Sequence, residues 1–398
     1  MLKADRNLLR YFKVSQPVTV IACLGKCYPN KFSQLSQTRF QSSQSTLTSS
    51  APTASDVVFS GIQPTGIPHL GNYLGALRQW VQMQNAAPPG TKLIYSVADL
   101  HAITMPQDPG KLRQWRRESF AALLAIGLDC ERSTVYFQSA VLAHAELMWI
   151  LSCTASMGYL SRMTQWKSKL SLPDSATPAD QASKNKLKLG LFSYPVLQAA
   201  DVLIHRATHV PVGEDQAQHL EFARDVALGF NNIYGKILTV PQTVLSPARR
   251  VMSLKDPKSK MSKSAEDPRS RILITDSRDE IDKKIRRALT DSTEGLSYDT
   301  KNRPGVSNLL DIMSHLNDDT KPPEELANEF KSLSMREFKE HVAATIDHAI
   351  APIREKYFNL MEGDDGRQLD KLATMGAEKA QASANVTMEA VKTAIGFA

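Results

Sequence analysis

The stretch from residue 59 to residue 78 carries residue types that suit the binding of a phosphate group. A short apolar run meets a turn rich in glycine and proline, and apolar residues at helical spacing follow. Glycine lets the backbone approach a ligand closely, and the unpaired N–H groups at a helix start attract anions. His69, Gly71 and Asn72 lie at this helix start, where the two polar side chains can donate to phosphate oxygens. A histidine satisfied by its own surroundings is the alternative for His69.

A lysine-rich segment at residues 256–268 is polar and bounded by prolines, which predicts a mobile loop. Lys260 and Lys263 within it are flexible positive charges that can close over an anionic leaving group. Lys167 and Lys169 are candidates to assist from the opposite side, and a solvated helix face explains that second pair equally well.

Asp201 stands inside an apolar helical pattern. A carboxylate is costly to bury without a partner, so this position favours a binding role over a purely structural one.

Strand-like and helix-like segments alternate from residue 57 onward, which predicts an α/β fold with a doubly wound parallel (Rossmann-like) sheet. The predicted strands are residues 57–62, 93–97, 134–137 and 209–211. The predicted helices are residues 112–126, 143–157, 184–204 with a break at Pro195, and a helix ending near Gly229. Such sheets bind ligands at the carboxyl ends of their strands, where the turns at Gly61 and Gly213 fall.

The pattern becomes all-α after the lysine-rich loop. Ser277 followed by Glu280 predicts a capping box, and long helical patterns cover residues 335–361 and 368–395. We therefore expect a domain at residues 56–275, with a helical insertion and the loop, and a helical domain at residues 276–398.

Residues 1–55 hold seven basic residues and one acidic residue, and they become rich in Ser, Gln and Thr. This composition is typical of a mitochondrial transit peptide, and a basic tail that binds nucleic acid is the alternative. Of the four cysteines, Cys130 and Cys153 lack metal-ligand spacing, and metal binding by Cys23 and Cys27 of the leader is the weaker alternative. We therefore expect a reducing compartment and no metal site. No apolar run is long enough to predict a membrane span.

The glycine-rich turn before His69 and the lysine-rich loop also resemble the paired signatures of class I aminoacyl-tRNA synthetases. Pro64 and the sequence His69-Leu-Gly-Asn72 are similar to the first signature, and Lys260-Met-Ser-Lys-Ser264 matches the second in full. The resemblance narrows to tryptophanyl-tRNA synthetases of the bacterial and organellar type. It extends from about residue 57 to the C-terminus and rests on the motifs Gly61–Gly66, Gly71–Ala76, Asp99–Thr104, Met163–Lys167, Tyr194–Asp201, Val210–Gln216 and the lysine loop.

This resemblance implies activation of L-tryptophan by ATP, with Mg²⁺ accompanying the nucleotide, and transfer to tRNA(Trp). It also implies a homodimer, a mitochondrial matrix location, and tRNA anticodon binding by the helical domain. The catalytic residues that it implies are His69, Asn72, Lys167, Lys169, Lys260 and Lys263. The ATP-binding residues are Gln63, Thr65, Gly71, Asn72, Gly213, Asp215, Lys260, Met261, Ser262, Lys263 and Ser264. The tryptophan-binding residues are Phe59, His101, Tyr194, Gln198, Asp201 and Gln216.

Tryptophan selection needs a buried acceptor for the indole N–H, because an apolar pocket alone separates similar side chains poorly. Asp201 is the candidate. Gln198 and His205 stand where relatives frequently carry Met and Tyr, so the resemblance leaves the shape of the indole pocket open.

The net charge of residues 276–398 is negative, so a local basic stripe must bind tRNA there. The best cluster is Lys283, Lys284, Arg286 and Arg287, although a solvated helix face fits it as well. Two other functions remain open at this point: a tyrosyl-tRNA synthetase, and a catalytically inactive relative that binds tRNA or another RNA.

Overall fold

The computed structural model describes residue 53 and residues 55–245, 250–263, 265–316 and 321–398. The prediction of a transit peptide therefore lies almost wholly outside the described residues, and so does Ser264. The described chain from residue 53 onward belongs to one compact unit.

Five parallel strands form the central sheet in the order β3-β2-β1-β4-β5. They are β1 (Val57–Ile62), β2 (Lys92–Val97), β3 (Ser133–Phe137), β4 (His209–Val212) and β5 (Gln242–Leu245). The strand order reverses between β1 and β4, so a ligand crevice is expected at the carboxyl ends of these two strands. The predicted doubly wound sheet is confirmed, with β5 added at one edge. The sequence of β5 is short and half polar, which is why its pattern gave no strand.

Helices cover both faces of this sheet. In chain order the α-helices of the described residues are α1 (Leu70–Asn72), α2 (Arg78–Ala86), α3 (Asp99–Ala102), α4 (Pro109–Ala125), α5 (Ala143–Ser152), α6 (Met157–Arg162), α7 (Gln165–Lys169), α8 (Gln181–Lys186), α9 (Leu189–Ile204), α10 (Ala217–Tyr234), α11 (Arg278–Arg286), α12 (Pro304–Leu316), α13 (Pro323–Glu329), α14 (Met335–Glu362) and α15 (Arg367–Ile395). A π-helical segment, Tyr73–Leu77, joins α1 to α2. None of the described helices is both long and apolar enough to cross a membrane.

Two predicted helix boundaries were wrong. The helix predicted at residues 143–157 ends at Ser152, and α6 begins only at Met157, where Ser156 caps it. The predicted break at Pro195 does not occur, because α9 runs through this proline. An internal proline costs a helix about 3 kcal/mol, but α9 is buried along nearly its whole length, and this packing outweighs the lost hydrogen bond.

The C-terminal helices pack directly against the sheet domain. Ile353 and Tyr357 of α14 and Leu369 of α15 are buried in the same core as Val58 of β1. The helix α15 lies so close to β3 that a Cβ atom on Gly376 would be 1.8 Å from the carbonyl oxygen of Val135. The predicted all-α character of residues 276–398 is confirmed, while the predicted domain boundary at residue 276 stays a prediction.

Candidate active site

The first signature turn is built around a reciprocal helix cap. His69 is the N-cap of α1, and its Nδ1 atom accepts a hydrogen bond from the backbone N–H of Asn72 at 3.1 Å. The side-chain Oδ1 atom of Asn72 accepts in return from the backbone N–H of His69 at 3.2 Å. Each side chain uses one acceptor atom in the cap. Nε2–H of His69 and the Nδ2 amide group of Asn72 can still donate to a ligand. The structural role and the binding role weighed for His69 are thus compatible.

Neutral His69 suits this arrangement. Burial, and then the positive charges of Lys263, Arg271 and Lys260, lower the pKa of His69 to about 4. At neutral pH the ring is uncharged, and because Nδ1 accepts, its proton sits on Nε2.

A segment that follows the lysine loop holds this turn in place. The backbone N–H of Leu70 donates to the carbonyl oxygen of Ile272 at 2.8 Å, and that of Ile274 donates to the carbonyl oxygen of Pro68 at 3.1 Å. The first signature turn is therefore joined by backbone hydrogen bonds to the segment that follows the second signature.

Lys263 makes the side-chain connection. Its Nζ atom donates to the carbonyl oxygen of Gly66 at 2.7 Å and to Oγ1 of Thr65 at 3.1 Å. Gly66 has a φ of 90°, a conformation that favours glycine and aims this carbonyl at the lysine. Burial lowers the pKa of Lys263 to about 8, with Glu118 opposing that shift and Arg271 adding to it.

A cavity of about 660 Å³ lies beside the first signature turn. It contains the predicted ATP-binding residues Gly71, Asn72, Gly213, Asp215 and Lys260. The remaining residues around it are Gly61, Ile62, Gly75, Ala76, Leu77, Trp80, Glu214, Arg250, Met252 and Lys258. Three positive and two negative side chains face this space, and Arg250 lies 3.7 Å from Glu214 in an ion pair. The net charge of the lining is positive, which suits a polyphosphate.

Arg250 and Lys258 were missed by sequence reasoning. Lys258 lies in the lysine-rich loop and could have been found from its charge. Arg250 belongs to no motif in the sequence, so nothing there marked it as a candidate. The predicted residue Met261 is buried and bonds through its N–H to the carbonyl oxygen of Val251 at 3.0 Å, so it anchors the loop. Ser262 lies between the two anchored residues, Met261 and Lys263.

A second cavity, of about 300 Å³, opens at the carboxyl ends of β1 and β4. It is lined by all six predicted tryptophan-binding residues, Phe59, His101, Tyr194, Gln198, Asp201 and Gln216, and by Gln63. Apolar side chains of Val202, Val210 and Val212 complete its walls together with Ala98 and Ile62. The first cavity and this one share Gly61 and Ile62, so two ligands bound in them would meet at the end of β1.

Asp201 is buried at the bottom of the second cavity and is well partnered. Its Oδ2 atom lies 2.8 Å from Nε2 of His101, and its Oδ1 atom accepts from Nε2 of Gln138 at 2.7 Å. The same Oδ1 atom is 2.8 Å from Nδ1 of His144. Burial raises the pKa of this carboxyl, but the two histidines outweigh burial and hold the pKa well below its usual range. The carboxylate is therefore stable without a ligand.

These contacts qualify the expectation that a buried acid here must serve binding, because the chain itself supplies partners. A carboxylate oxygen has two lone pairs, and Oδ2 has one hydrogen-bond partner among the described residues. Asp201 can thus accept one further hydrogen bond from a donor in the cavity.

The cavity rim is polar and connects the two ligand spaces. Gln198 donates from Nε2 to Oε1 of Gln216 at 3.2 Å, and Gln216 donates from Nε2 to Oδ2 of Asp215 at 2.7 Å. Because Asp215 lines the first cavity, this chain of hydrogen bonds links the two sites.

Lys167 and Lys169 lie outside the residues that line the two cavities in the described structure. Lys167 is buried and donates from Nζ to the carbonyl oxygen of Asp174, while Lys169 places Nζ 5.0 Å from the ring centroid of Tyr194. Burial lowers the pKa of Lys169. The catalytic role of this pair stays a prediction. Lys169 lies near the second cavity, because Tyr194 lines that cavity.

The comparisons with known proteins agree with this geometry. Residues 52–351 match the family described as tRNA synthetases class I (W and Y). The chain is 50% identical over 348 residues to the mitochondrial tryptophan–tRNA ligase of Schizosaccharomyces pombe, covering 85% of this chain and 95% of that protein. It is 43% identical over 361 residues to the mitochondrial tryptophan–tRNA ligase of Saccharomyces cerevisiae, covering 88% and 93%.

A solved structure gives the same result. The crystal structure of tryptophanyl-tRNA synthetase from Campylobacter jejuni, complexed with ADP and tryptophan, matches with a TM-score of 0.70 at 34% identity. The match covers 85% of this chain and 99% of that one. Fold, site and sequence together define a class I aminoacyl-tRNA synthetase. Within this class the chain belongs to the tryptophan–tRNA ligases, and the tyrosyl alternative is not favoured.

Proposed function

We propose that this chain activates L-tryptophan with ATP, forms tryptophanyl-adenylate and transfers the tryptophanyl group to tRNA(Trp) in mitochondrial protein synthesis. The observation that carries the proposal is the meeting of the two cavities at Gly61 and Ile62. One cavity is small, has apolar and polar walls and reaches the buried carboxylate of Asp201, and the other is larger and has a net positive lining. Reactants held in them would face each other at the strand end, which is the arrangement that an in-line displacement requires.

In the first step a carboxylate oxygen of tryptophan attacks the α-phosphorus of ATP. A new O–P bond forms while the bond to the bridging oxygen breaks, and pyrophosphate leaves with that electron pair. The protein needs no nucleophile for this step, and its contribution is positioning and charge stabilisation. In the second step a terminal ribose hydroxyl of the tRNA attacks the activated carbonyl, and AMP leaves.

The nucleotide role rests on the lining of the basic cavity. Gly71 and Asn72 line this cavity and are proposed to serve the phosphates, and Lys260, Lys258 and Arg250 the departing pyrophosphate. His69 does not line the cavity but caps the same helix, and its Nε2–H donor is proposed to reach a phosphate oxygen. Gly213 and Asp215 face the same cavity and are proposed to contact the adenosine ribose. Mg²⁺ enters with ATP as part of the substrate.

Lys263 is proposed to act as a switch between two partners. Its Nζ atom is bonded to Thr65 and Gly66, and phosphate oxygens offer it a stronger, charged acceptor. Its release toward pyrophosphate would therefore draw the lysine loop over the nucleotide.

Tryptophan recognition is proposed for the small cavity. Its aromatic and branched walls fit the indole ring, and Oδ2 of Asp201 accepts the indole N–H. A site built around a buried acceptor rejects a side chain that lacks the matching donor, because the acceptor would be left unpaired. Gln63 and His101 are proposed to lie at the polar end of the amino acid.

The ATP–pyrophosphate exchange assay tests this function when it is run with each amino acid in turn. We expect exchange that depends on tryptophan and is far slower with tyrosine. Faster exchange with tyrosine would reject the substrate assignment. Binding of tRNA without any adenylate formation would instead favour the inactive relative.

Binding of tRNA by the helical region is proposed at a basic cavity of about 750 Å³ between α11 and α14. Arg278, Arg286, Arg336 and Lys339 line it against two acidic side chains, Asp282 and Glu340. Of the cluster expected from the sequence, Arg286 lines this cavity, whereas Lys283, Lys284 and Arg287 do not. Arg278 and Arg336 are ion-paired with Asp282 and Glu340, as Lys284 is with Asp276. Replacing Arg336 with Glu should weaken tRNA charging and leave amino-acid-dependent exchange unchanged. Equal charging by the variant would remove this surface from the proposal.

We also propose a homodimer in the mitochondrial matrix. Large apolar side chains stand exposed on α5, α6 and the start of α9, namely Trp149, Met157 and Leu189, beside the exposed Leu142. A second copy would cover them, and Trp149→Glu should then yield monomers by light scattering.

The matrix location is supported by the basic, acid-poor leader and by the mitochondrial relatives. Protein from isolated mitochondria should begin near residues 40–56 of this sequence.

A further inference from the structure

A chain of polar side chains runs from the small cavity to the C-terminal helix α15. Asp201 Oδ1 lies 2.8 Å from Nδ1 of His144, and Nε2 of His144 lies 2.9 Å from the hydroxyl of Tyr136. The same hydroxyl is 2.9 Å from Nε2 of His205, and Nδ1 of His205 is 3.2 Å from Oγ of Ser383. Four contacts thus connect the proposed indole acceptor to a serine 178 residues beyond His205.

The chain is sealed from solvent over most of its length. His144 and Tyr136 are fully buried, and His205 and Asp201 are 3% and 4% exposed. A buried polar group that loses its partner costs about 1–3 kcal/mol, so each member depends on the next one. The half-buried Ser383 is the end of the chain that lies on α15.

The chemistry of each group limits which atoms along this row of contacts can carry a proton. A carboxylate only accepts, so a proton between the two groups belongs to Nδ1 of His144, facing Asp201. Tyr136 has one hydroxyl proton for two histidine neighbours, so if it donates to Nε2 of His144 it accepts from Nε2–H of His205. Burial is the main reason that the pKa of His205 is lowered to about 3, which keeps this ring neutral. Nδ1 of His205 is left as the acceptor for the Ser383 hydroxyl.

We propose that Ser383 and His205 are positioning residues for tryptophan binding, acting on Asp201 through Tyr136 and His144. The Ser383 hydroxyl selects the His205 tautomer that donates to Tyr136. That choice makes Tyr136 a donor to His144 and leaves the His144 proton on the side of Asp201. The carboxylate is thereby held in one orientation, with Oδ2 directed to the indole N–H. The inference rests on the proposed tryptophan-binding function.

The helix α15 is packed tightly enough to act as a fixed support. Ala380 and Ala384, on either side of Ser383, are fully buried in the same core as Phe59 and Tyr194 of the small cavity. The close approach of Gly376 to β3 fixes the helix one to two turns earlier. The Ser383 hydroxyl therefore has a defined position relative to the pocket.

Ser383→Ala in the full chain is the deciding variant, measured by initial rates of ATP–pyrophosphate exchange. We expect the KM for tryptophan to rise about three- to tenfold, as for one lost hydrogen bond of ordinary strength, with kcat and the KM for ATP nearly unchanged. Ser383→Thr, which keeps the hydroxyl, should restore the wild-type KM. Thr374→Ala is the matched control, because it removes an exposed hydroxyl of α15 that bonds only to its own helix at Asp370.

His205→Phe and His205→Gln form a second pair at the middle of the chain. Phenylalanine cannot donate to Tyr136, so His205→Phe should raise the KM for tryptophan, whereas the amide N–H of His205→Gln should restore much of it. Thermal unfolding of each variant separates this effect from misfolding. If His205→Phe does not fold, Ser383→Ala and His205→Gln carry the test.

A double-mutant cycle checks that the effect travels through Asp201. In an Asp201→Asn background, Ser383→Ala should cause no further rise in the KM for tryptophan, because coupled residues are not additive. A wild-type KM in Ser383→Ala, an equal rise in both substrates' KM values, or additive losses in the cycle would each overturn the inference. If the wild-type chain showed no tryptophan-dependent exchange at all, the proposed function itself would fail instead.

Discussion

Lys263 donates from Nζ to the carbonyl oxygen of Gly66 over 2.7 Å, across a sequence separation of 197 residues. This bond joins the lysine loop to the first signature turn. It also places the ammonium group in a half-buried position, where burial lowers the pKa of Lys263 to about 8. The loop is therefore held against the site by a lysine whose pKa lies close to neutral pH.

The lowered pKa of Lys263 predicts an alkaline loss of activity. As pH rises through about 8, the lysine of the free enzyme loses its proton and with it the charge that attracts phosphate. We expect kcat/KM for ATP to fall above that pH, while kcat falls only at higher pH, because bound pyrophosphate favours the protonated form. Exchange rates between pH 6 and 10 measure both. Lys263→Arg stays charged, so its profile should lack the limb near pH 8; an unchanged limb would assign it to another group.

His69→Asn separates the two roles of the signature histidine. Asparagine is a good N-cap and can accept from the N–H of residue 72, so the fold of α1 should be retained. The Nε2–H donor is lost, and we expect kcat for exchange to fall by about 10²-fold, the usual scale for removing one donor to a transition state. Circular dichroism and thermal unfolding give the matching control. Wild-type kcat in a folded variant would leave His69 as a cap alone.

The local parts of this site could be predicted from the sequence. The strand β1 and the turn after it have a short-range apolar and glycine pattern, and the Ser277–Glu280 capping box formed as expected. The six residues predicted to bind tryptophan lie around one cavity, because the parallel strands end at one edge of the sheet and α9 packs beside it. Their assignment came from motif resemblance, since spacing along the chain does not reveal which side chains meet.

The unpredicted features depend on tertiary packing. The contact between His205 and Ser383 joins positions 178 residues apart, and no periodic pattern records such a pair. The partners of Asp201 are similar, because Gln138 and His144 come from a different part of the chain. Pro195 was misjudged because local propensity favours a break, whereas burial of the whole helix α9 overrides it.

Asp201→Asn tests the indole contact with little change in side-chain volume. The amide keeps one oxygen, but its NH₂ group would face either the proton on Nε2 of His101 or the donors at Oδ1. We expect the KM for tryptophan to rise about tenfold or more, the scale of an unsatisfied buried group, and the KM for ATP to change far less. Exchange kinetics with each substrate varied give both values. Equal losses for the two substrates would contradict the proposed contact.

Gly376→Ala tests whether α15 must lie directly on the sheet. The new Cβ atom would be 1.8 Å from the carbonyl oxygen of Val135, a distance that backbone atoms cannot accept, so the helix must shift. We expect a loss of at least about 1–3 kcal/mol in the free energy of unfolding, the typical cost of overpacking. Gly229→Ala is the matched control, because nothing lies within 4 Å of its added Cβ atom in the helix α10. That variant should be stabilised by about 0.5–1 kcal/mol, since alanine is the better helix former. Urea unfolding followed by circular dichroism measures both, and a Gly376→Ala protein as stable as the wild type would show that α15 can move away from β3 without cost.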